Sequence, residues 1–83
     1  MGRTKVRGTF IDIRKTGVKI LETLVWKDIT QRELAQRLGV ADAAVSQWIS
    51  GKSYPTLDTF VRVADILGVQ VDDLIVRKDD SKV

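Results

Sequence analysis

The chain has 83 residues, of which 43% are hydrophobic and 30% charged, a length and composition typical of one small globular domain. It contains no cysteine and no histidine, which excludes a disulfide framework, a thiolate metal site and histidine-based catalysis. Carboxylates are not clustered in the manner of an active site either, so we expect neither an enzyme nor a bound cofactor or metal. No apolar run approaches the length of a membrane span or a signal peptide, so we expect a cytoplasmic protein.

The net charge of +3 is unevenly distributed along the chain. Residues 1–27 carry seven basic and two acidic side chains, whereas residues 56–83 carry four basic and six acidic ones. A positive front and a negative back suit a surface that binds a polyanion. The alternative is a chance scatter of solubilising charge.

The first twelve residues form an extension with basic side chains at Arg3, Lys5 and Arg7. We favour a frayed, solvated terminus, and the alternative is a basic arm that follows a phosphate backbone or enters a groove. The weak alternation in residues 9–13 is compatible with a short strand or with Phe10 packing on the core. The role of residues 1–12 stays open.

Two helices are predicted in the first half of the domain. Helix 1 runs from about Thr16, its N-cap, to Lys27. Its buried stripe consists of Val18, Leu21, Leu24 and Val25. Helix 2 spans residues 31–38, because Thr30 and Glu33 form a capping box at its start.

Three further helices are predicted after residue 40. Helix 3 spans residues 42–50 and ends at Gly51. Thr56 caps helix 4, which ends at Gly68. The apolar face of helix 4 consists of Leu57, Phe60, Val61, Ala64 and Leu67. Residues 71–75 form a short fifth helix. The fold class is therefore all-α, a compact five-helix bundle, with an extension at 1–12, the domain at 13–76 and a charged tail at 77–83.

Helices 2 and 3 have the pattern of a helix-turn-helix unit. Ala35 is a small residue where two helices cross, Gly39 permits the left-handed turn, and Val45 points back into the angle between the helices. Trp48 lies on the same inward face as Val45, so it belongs to the core. The alternative is a helical hairpin without a ligand.

The stretch from Ile29 to Ile75 resembles the Cro and phage-repressor (XRE) helix-turn-helix family. Besides the motif itself, the resemblance includes Gly51-Lys52, Pro55 and the Leu67-Gly68-Val69 sequence. It implies a five-helix DNA-binding domain of the phage-repressor type that is usually dimeric on DNA. One departure is that Leu24 and Ile49 stand where the family usually has a buried arginine–glutamate pair. We expect these two apolar side chains to touch.

The resemblance implies that helix 3 reads the major groove of double-stranded DNA. The matching residues are Ala41, Asp42, Ala43, Ala44, Ser46 and Gln47. Gln47 can pair bidentately with adenine, Ser46 can donate or accept, and an alanine methyl can contact thymine. Asp42 either caps helix 3, which we favour, or accepts from a cytosine amine.

Further DNA contacts are expected on either side of helix 3. Gln31 resembles the family's phosphate-contacting glutamine, and Arg32 is a candidate backbone contact. Lys52, Ser53 and Tyr54 follow helix 3 and can reach the other side of the groove. No arginine or asparagine stands between Ala41 and Gln47, so specificity that is weak or that depends on DNA shape is plausible.

The function expected from these features is that of a transcriptional regulator, a repressor, acting as a homodimer on a pseudo-palindromic operator and associated with the nucleoid. The alternatives are the antitoxin of a toxin–antitoxin pair and a protein-interaction module that has lost DNA binding. Candidate dimer surfaces are the region of Val69, Val71 and Ile75 and the N-terminal extension. The operator, the regulated genes and any effector cannot be read from the sequence.

Overall fold

The computed structural model describes residues 11–78, which contain four α-helices and one 3-10 turn. The helices are α1 (Ile13–Lys27), α2 (Gln31–Leu38), α3 (Asp42–Ile49) and α4 (Leu57–Leu67), and the 3-10 turn is Val71–Asp73. An isolated antiparallel bridge between Ile11 and Arg77 is the one β-type pairing found within these residues. The all-α prediction is confirmed. The prediction of a fifth helix is wrong, because the chain makes a single 3-10 turn there.

Local signals set most helix ends as predicted. The side chain of Thr30 accepts from the Glu33 N–H at 3.0 Å, and the Glu33 carboxylate accepts from the Thr30 N–H at 2.9 Å. Gly39 and Gly68 end α2 and α4 with positive φ angles of 76° and 71°, a conformation that costs glycine little. Thr56 caps α4. Each of these ends depends on residues close in sequence.

The core is a single apolar cluster enclosed by all four helices. Its fully buried members are Ile20, Leu24, Leu34, Ala35, Leu38, Val45, Trp48, Phe60, Val63, Ala64, Leu67 and Leu74. α3 packs against both α1 and α2, and α2 packs against α4. The burial of Trp48 confirms its assignment to the core.

α1 begins earlier than predicted. Asp12, not Thr16, is the N-cap, and its carboxylate accepts from the Lys15 N–H at 3.0 Å. Thr16 is instead buried inside the helix, and its hydroxyl accepts from the Val76 N–H at 3.0 Å. The Asp12 N–H donates to the Val76 carbonyl at 2.7 Å. The C-terminal segment is therefore fastened to the start of α1, and this contact between distant residues moves the helix start to Ile13.

The predicted buried stripe of α1 is also wrong, except at Leu24. The residues that α1 buries are Thr16, Gly17, Ile20, Thr23 and Leu24, whereas Val18, Leu21 and Val25 are exposed. The reason is Gly17, whose missing side chain lets α1 approach the backbone at the C-terminal end of α3. A close helix crossing selects small residues, which a search for apolar periodicity does not weigh.

The apolar face of α4 is shifted in a similar way. Phe60, Ala64 and Leu67 are buried as predicted, but Leu57 and Val61 are exposed and Val63 takes a place in the core. Ile49 is partly buried against the cluster that contains Leu24. Their side chains therefore share one core, and direct contact between the two stays a prediction.

Within residues 11–78 no helix combines the length and the apolar character that crossing a membrane requires.

Replacing Gly17 by alanine should destabilise the fold. An added Cβ would lie 2.5 Å from the Ile49 carbonyl oxygen and closer still to that of Trp48. Overpacking of this kind costs about 1–3 kcal/mol. Urea unfolding followed by circular dichroism measures the loss. The matched control is Lys19→Ala on the exposed side of the same helix. Equal stability of the two variants would contradict the close crossing.

The capping box should make stability sensitive to acid. The backbone hydrogen bond from Thr30 is the main cause that holds the pKa of the Glu33 carboxyl below its ordinary value. A carboxyl with a lowered folded-state pKa stabilises the protein above its unfolded pKa, and this contribution is lost as the pH falls through the folded pKa. We therefore expect Glu33→Ala to lower stability near neutral pH and to matter less in acid. Urea unfolding at both pH values checks this expectation, and a constant difference between variant and wild type would contradict it.

Candidate nucleic-acid interface

The turn between α2 and α3 sets the direction in which α3 points. At the end of α2, the N–H groups of Gly39 and Val40 both donate to the Ala35 carbonyl, at 2.9 and 3.0 Å. Ala35 and Val45 are fully buried where the two helices meet. Small and β-branched side chains in this angle let the helices pack closely, as the sequence predicted.

The outer face of α3 is open to solvent. Ala41, Asp42, Ala43, Ser46 and Gln47 are exposed, and Ala44 is half-buried. The opposite face carries Val45 and Trp48 and is buried. Every α3 residue proposed from the sequence thus has an accessible side chain, although Ala44 offers only part of its surface.

Asp42 does not cap α3. The N-cap is Ala41, which makes no side-chain capping hydrogen bond, and Asp42 is the first residue of the helix. Its carboxylate instead lies 3.5 Å from Nε of Arg32. Both side chains are exposed, so this pair contributes little stability. It does place a guanidinium beside the start of α3, where it offsets the charge of Asp42.

Gln31 and Arg32 open α2 on the same side of the molecule as the start of α3. Gln31 is exposed and is the first residue of α2. The capping box holds the preceding residues in place, so the start of α2 has a defined position. Because Arg32 reaches Asp42, the structure brings the beginnings of α2 and α3 together.

The segment after α3 contains the remaining predicted residues. The Lys52 N–H donates to the Gln47 carbonyl at 2.9 Å, which folds the chain back on the end of α3. Lys52 and Tyr54 are exposed and Ser53 is half-buried. The Tyr54 hydroxyl donates to the Ile11 carbonyl at 3.4 Å. This bond joins the segment to the residue at which the described part of the chain begins.

Arg14 is a basic residue near this segment that the sequence analysis left out. A Cβ added to Gly51 would lie 2.8 Å from Cγ of Arg14, so the stem of Arg14 packs beside the end of α3. Arg14 is exposed and carries no resolved partner among the hydrogen bonds and ion pairs described here. The sequence held no signal for this proximity, since Arg14 and Gly51 belong to different helices.

Comparisons with known proteins agree with this geometry. The profile of the helix-turn-helix family HTH_3 matches residues 20–74. The chain is 33% identical over 57 residues to the HTH-type transcriptional activator BcrR of Enterococcus faecalis. The match covers 69% of this chain but only 28% of BcrR. The chain is also 32% identical over 54 residues to MJ0272 of Methanocaldococcus jannaschii, named an uncharacterised HTH-type transcriptional regulator, and that match covers 65% of this chain and 82% of the relative.

A similar solved structure comes from Bacteroides fragilis. It is a putative DNA-binding protein with 40% sequence identity and a TM-score of 0.67, and the match covers 70% of this chain and 94% of that one. The relatives are transcription regulators and not enzymes, in agreement with the prediction from composition. This chain belongs to the XRE-type helix-turn-helix family of DNA-binding transcriptional regulators.

Proposed function

We propose that this protein binds double-stranded DNA sequence-specifically and represses transcription, with α3 lying in the major groove. The observation that carries the proposal is the open outer face of α3, which stands beside a buried inner face that fixes its orientation. The major groove admits an α-helix and displays a different pattern of donors and acceptors for each base pair. A rigidly held helix with an accessible polar face is suited to that groove.

Gln47 is the principal base-reading residue of the proposal. Its side chain is exposed on α3, and a glutamine amide can donate to and accept from the same adenine. Ser46 lies next to it and supplies a second hydrogen-bonding group. Ala43 is exposed and can place its methyl group against a thymine methyl. Ala44 is half-buried and contributes less.

Asp42 and Arg32 act as a pair in this proposal. The carboxylate of Asp42 is unfavourable near phosphate, but it can accept from the amine of a cytosine. Arg32 screens it in the free protein and can transfer to a phosphate when DNA arrives, since an exposed ion pair is weak. We therefore assign Asp42 to base reading and no longer to capping.

Phosphate contacts on both sides of α3 supply affinity. Gln31 and Arg32 lie before it, and Lys52, Ser53 and Tyr54 lie after it. Arg14 extends the second group, because its stem packs beside Gly51. Contacts of this kind position the protein and make binding salt-dependent, whereas base contacts select the sequence.

The reading face contains few donors, so one copy is expected to discriminate poorly between sequences. Two copies on a pseudo-palindrome would add their base contacts, with their α3 helices about 34 Å apart, one turn of B-DNA. A homodimer in the cytoplasm, associated with the nucleoid, is accordingly part of the proposal. One relative bears the name of an activator, so the sign of regulation rests on the resemblance to phage repressors.

Selection of bound sequences from random duplex DNA tests the function directly. We expect an enriched pseudo-palindrome. No enrichment, together with no salt-dependent gel shift at low ionic strength, would refute the proposal and favour a protein-interaction module. A toxin gene adjacent to this gene and a stable complex of the two products would favour the antitoxin alternative.

Two substitutions should separate base reading from phosphate binding. Gln47→Ala removes a bidentate contact, so affinity for the selected site should fall by about 1–3 kcal/mol, while affinity for random duplexes stays unchanged. Lys52→Ala should weaken binding to all duplexes and lower the salt slope by about one. Fluorescence anisotropy over a range of salt concentrations measures both effects. Lys19→Ala removes an exposed lysine from α1, away from the reading face, and is the charge-matched control.

A further inference from the structure

The outward side of α1 carries a stripe of apolar side chains that the fold does not use. Val18 is 50% exposed, Leu21 is 37% exposed and Val25 is 71% exposed. They occur after the buried face of the same helix has already been filled by Gly17, Ile20 and Leu24. A contiguous exposed apolar stripe of this kind marks an interaction surface more often than a solvated one.

The spacing of the stripe is that of a helix-pairing seam. Val18, Leu21 and Val25 are separated by three and then four residues, which places them in one line along the helix. Trp26 is also exposed, but its ring is in contact with the Lys27 ammonium, 4.6 Å from the ring centroid. The seam is therefore formed by the two valines and the leucine. A second helix with the same spacing would complement it.

The charged residues beside the seam identify a second copy of this chain as the occupant. Lys15 and Glu22 are exposed on the same flank of α1, seven residues apart. If two α1 helices pair antiparallel with Val18 opposite Leu21, Lys15 of each copy comes opposite Glu22 of the other. This register joins apolar to apolar residues and forms two ion pairs by symmetry. Moving one helix by a heptad would place Glu22 against Glu22 and Val18 against Asp28.

We propose that two copies of this protein pair through antiparallel α1 helices, along the seam of Val18, Leu21 and Val25. The seam contains none of the residues assigned to DNA contact, so both reading faces remain open. Because α1 packs closely on α3 at Gly17, pairing through α1 also fixes the separation of the two α3 helices. A seam of one helix per copy is small, so we expect a reversible dimer of modest affinity.

The surfaces suggested by sequence are less suited to this role. Val69, Val71 and Ile75 are partly buried against the protein's own core, which leaves little of their apolar surface for a partner. Residues 1–10 of the N-terminal extension lie outside the described residues. Helix α4 exposes Leu57 and Val61, a shorter patch that serves as an internal comparison in the experiment.

Sedimentation equilibrium without DNA tests the pairing over a concentration series. We expect the wild-type chain to form dimers and Val25→Glu to be monomeric at the same concentrations, because it buries a carboxylate in the seam. Val25 is largely exposed, so circular dichroism should show an intact fold. The matched control is Leu57→Glu on α4, where the replaced leucine is 78% exposed, and this variant should still dimerise.

A charge swap tests the register. Lys15→Glu and Glu22→Lys should each weaken the dimer several-fold, and the double variant should restore it, because the ion pairs re-form with exchanged signs. The chain has no cysteine, so engineered thiols provide a second readout. A mixture of Val18→Cys and Leu21→Cys chains should form mixed disulfide dimers faster than either variant forms its own.

These results can overturn the inference independently of DNA binding. A wild-type chain that stays monomeric at every concentration would overturn it. So would a dimer that Leu57→Glu dissociates and Val25→Glu does not, or a double charge variant that remains as weak as the single ones. The proposed function is measured separately, because monomeric Val25→Glu should still shift random duplex DNA in a salt-dependent way.

Discussion

The contact on which this structure depends is the crossing of α1 over the C-terminal end of α3. At Gly17 the two backbones come so close that no side chain fits between them. α3 has only eight residues, and a helix that short is not stable alone in water. It is held by α1 on one side and α2 on the other. The direction of its exposed face therefore follows from how α1 and α2 grip its buried face.

The parts of the fold that could be predicted from sequence are those that short-range chemistry decides. Thr30 with Glu33, Thr56, Gly39 and Gly68 act on backbone groups within a few residues, and each one ended or began a helix as expected. The start of α1 could not be found in this way. Thr16 has the chemistry of a cap, but Val76, sixty residues later, takes its hydroxyl. A local pattern cannot anticipate a hydrogen bond that tertiary packing creates.

The same distinction applies to the candidate site. Exposure of Ala43 and Gln47 could be predicted, because the burial of Val45 and Trp48 leaves one side of α3 for solvent. The role of Asp42 could not, because Arg32 belongs to the preceding helix and the sequence does not say which way its side chain turns. The position of Arg14 beside Gly51 was missed for the same reason. Pairs across helices were the weak point, and residues along one helix the strong one.

α1 shows why apolar periodicity alone misplaces a helix face. It contains two apolar sets, Ile20 with Leu24 and Val18 with Leu21 and Val25, and both have helical spacing. Periodicity cannot choose between them. The choice is made by Gly17 and the small polar residues Thr16 and Thr23, which lie on the buried side because a close crossing has no room for larger side chains. The larger residues are left outside, where folding of the single chain gains nothing from them. Exposed apolar surface without a folding role is accounted for if association of two copies buries it, since that gain appears only when α1 meets a second α1.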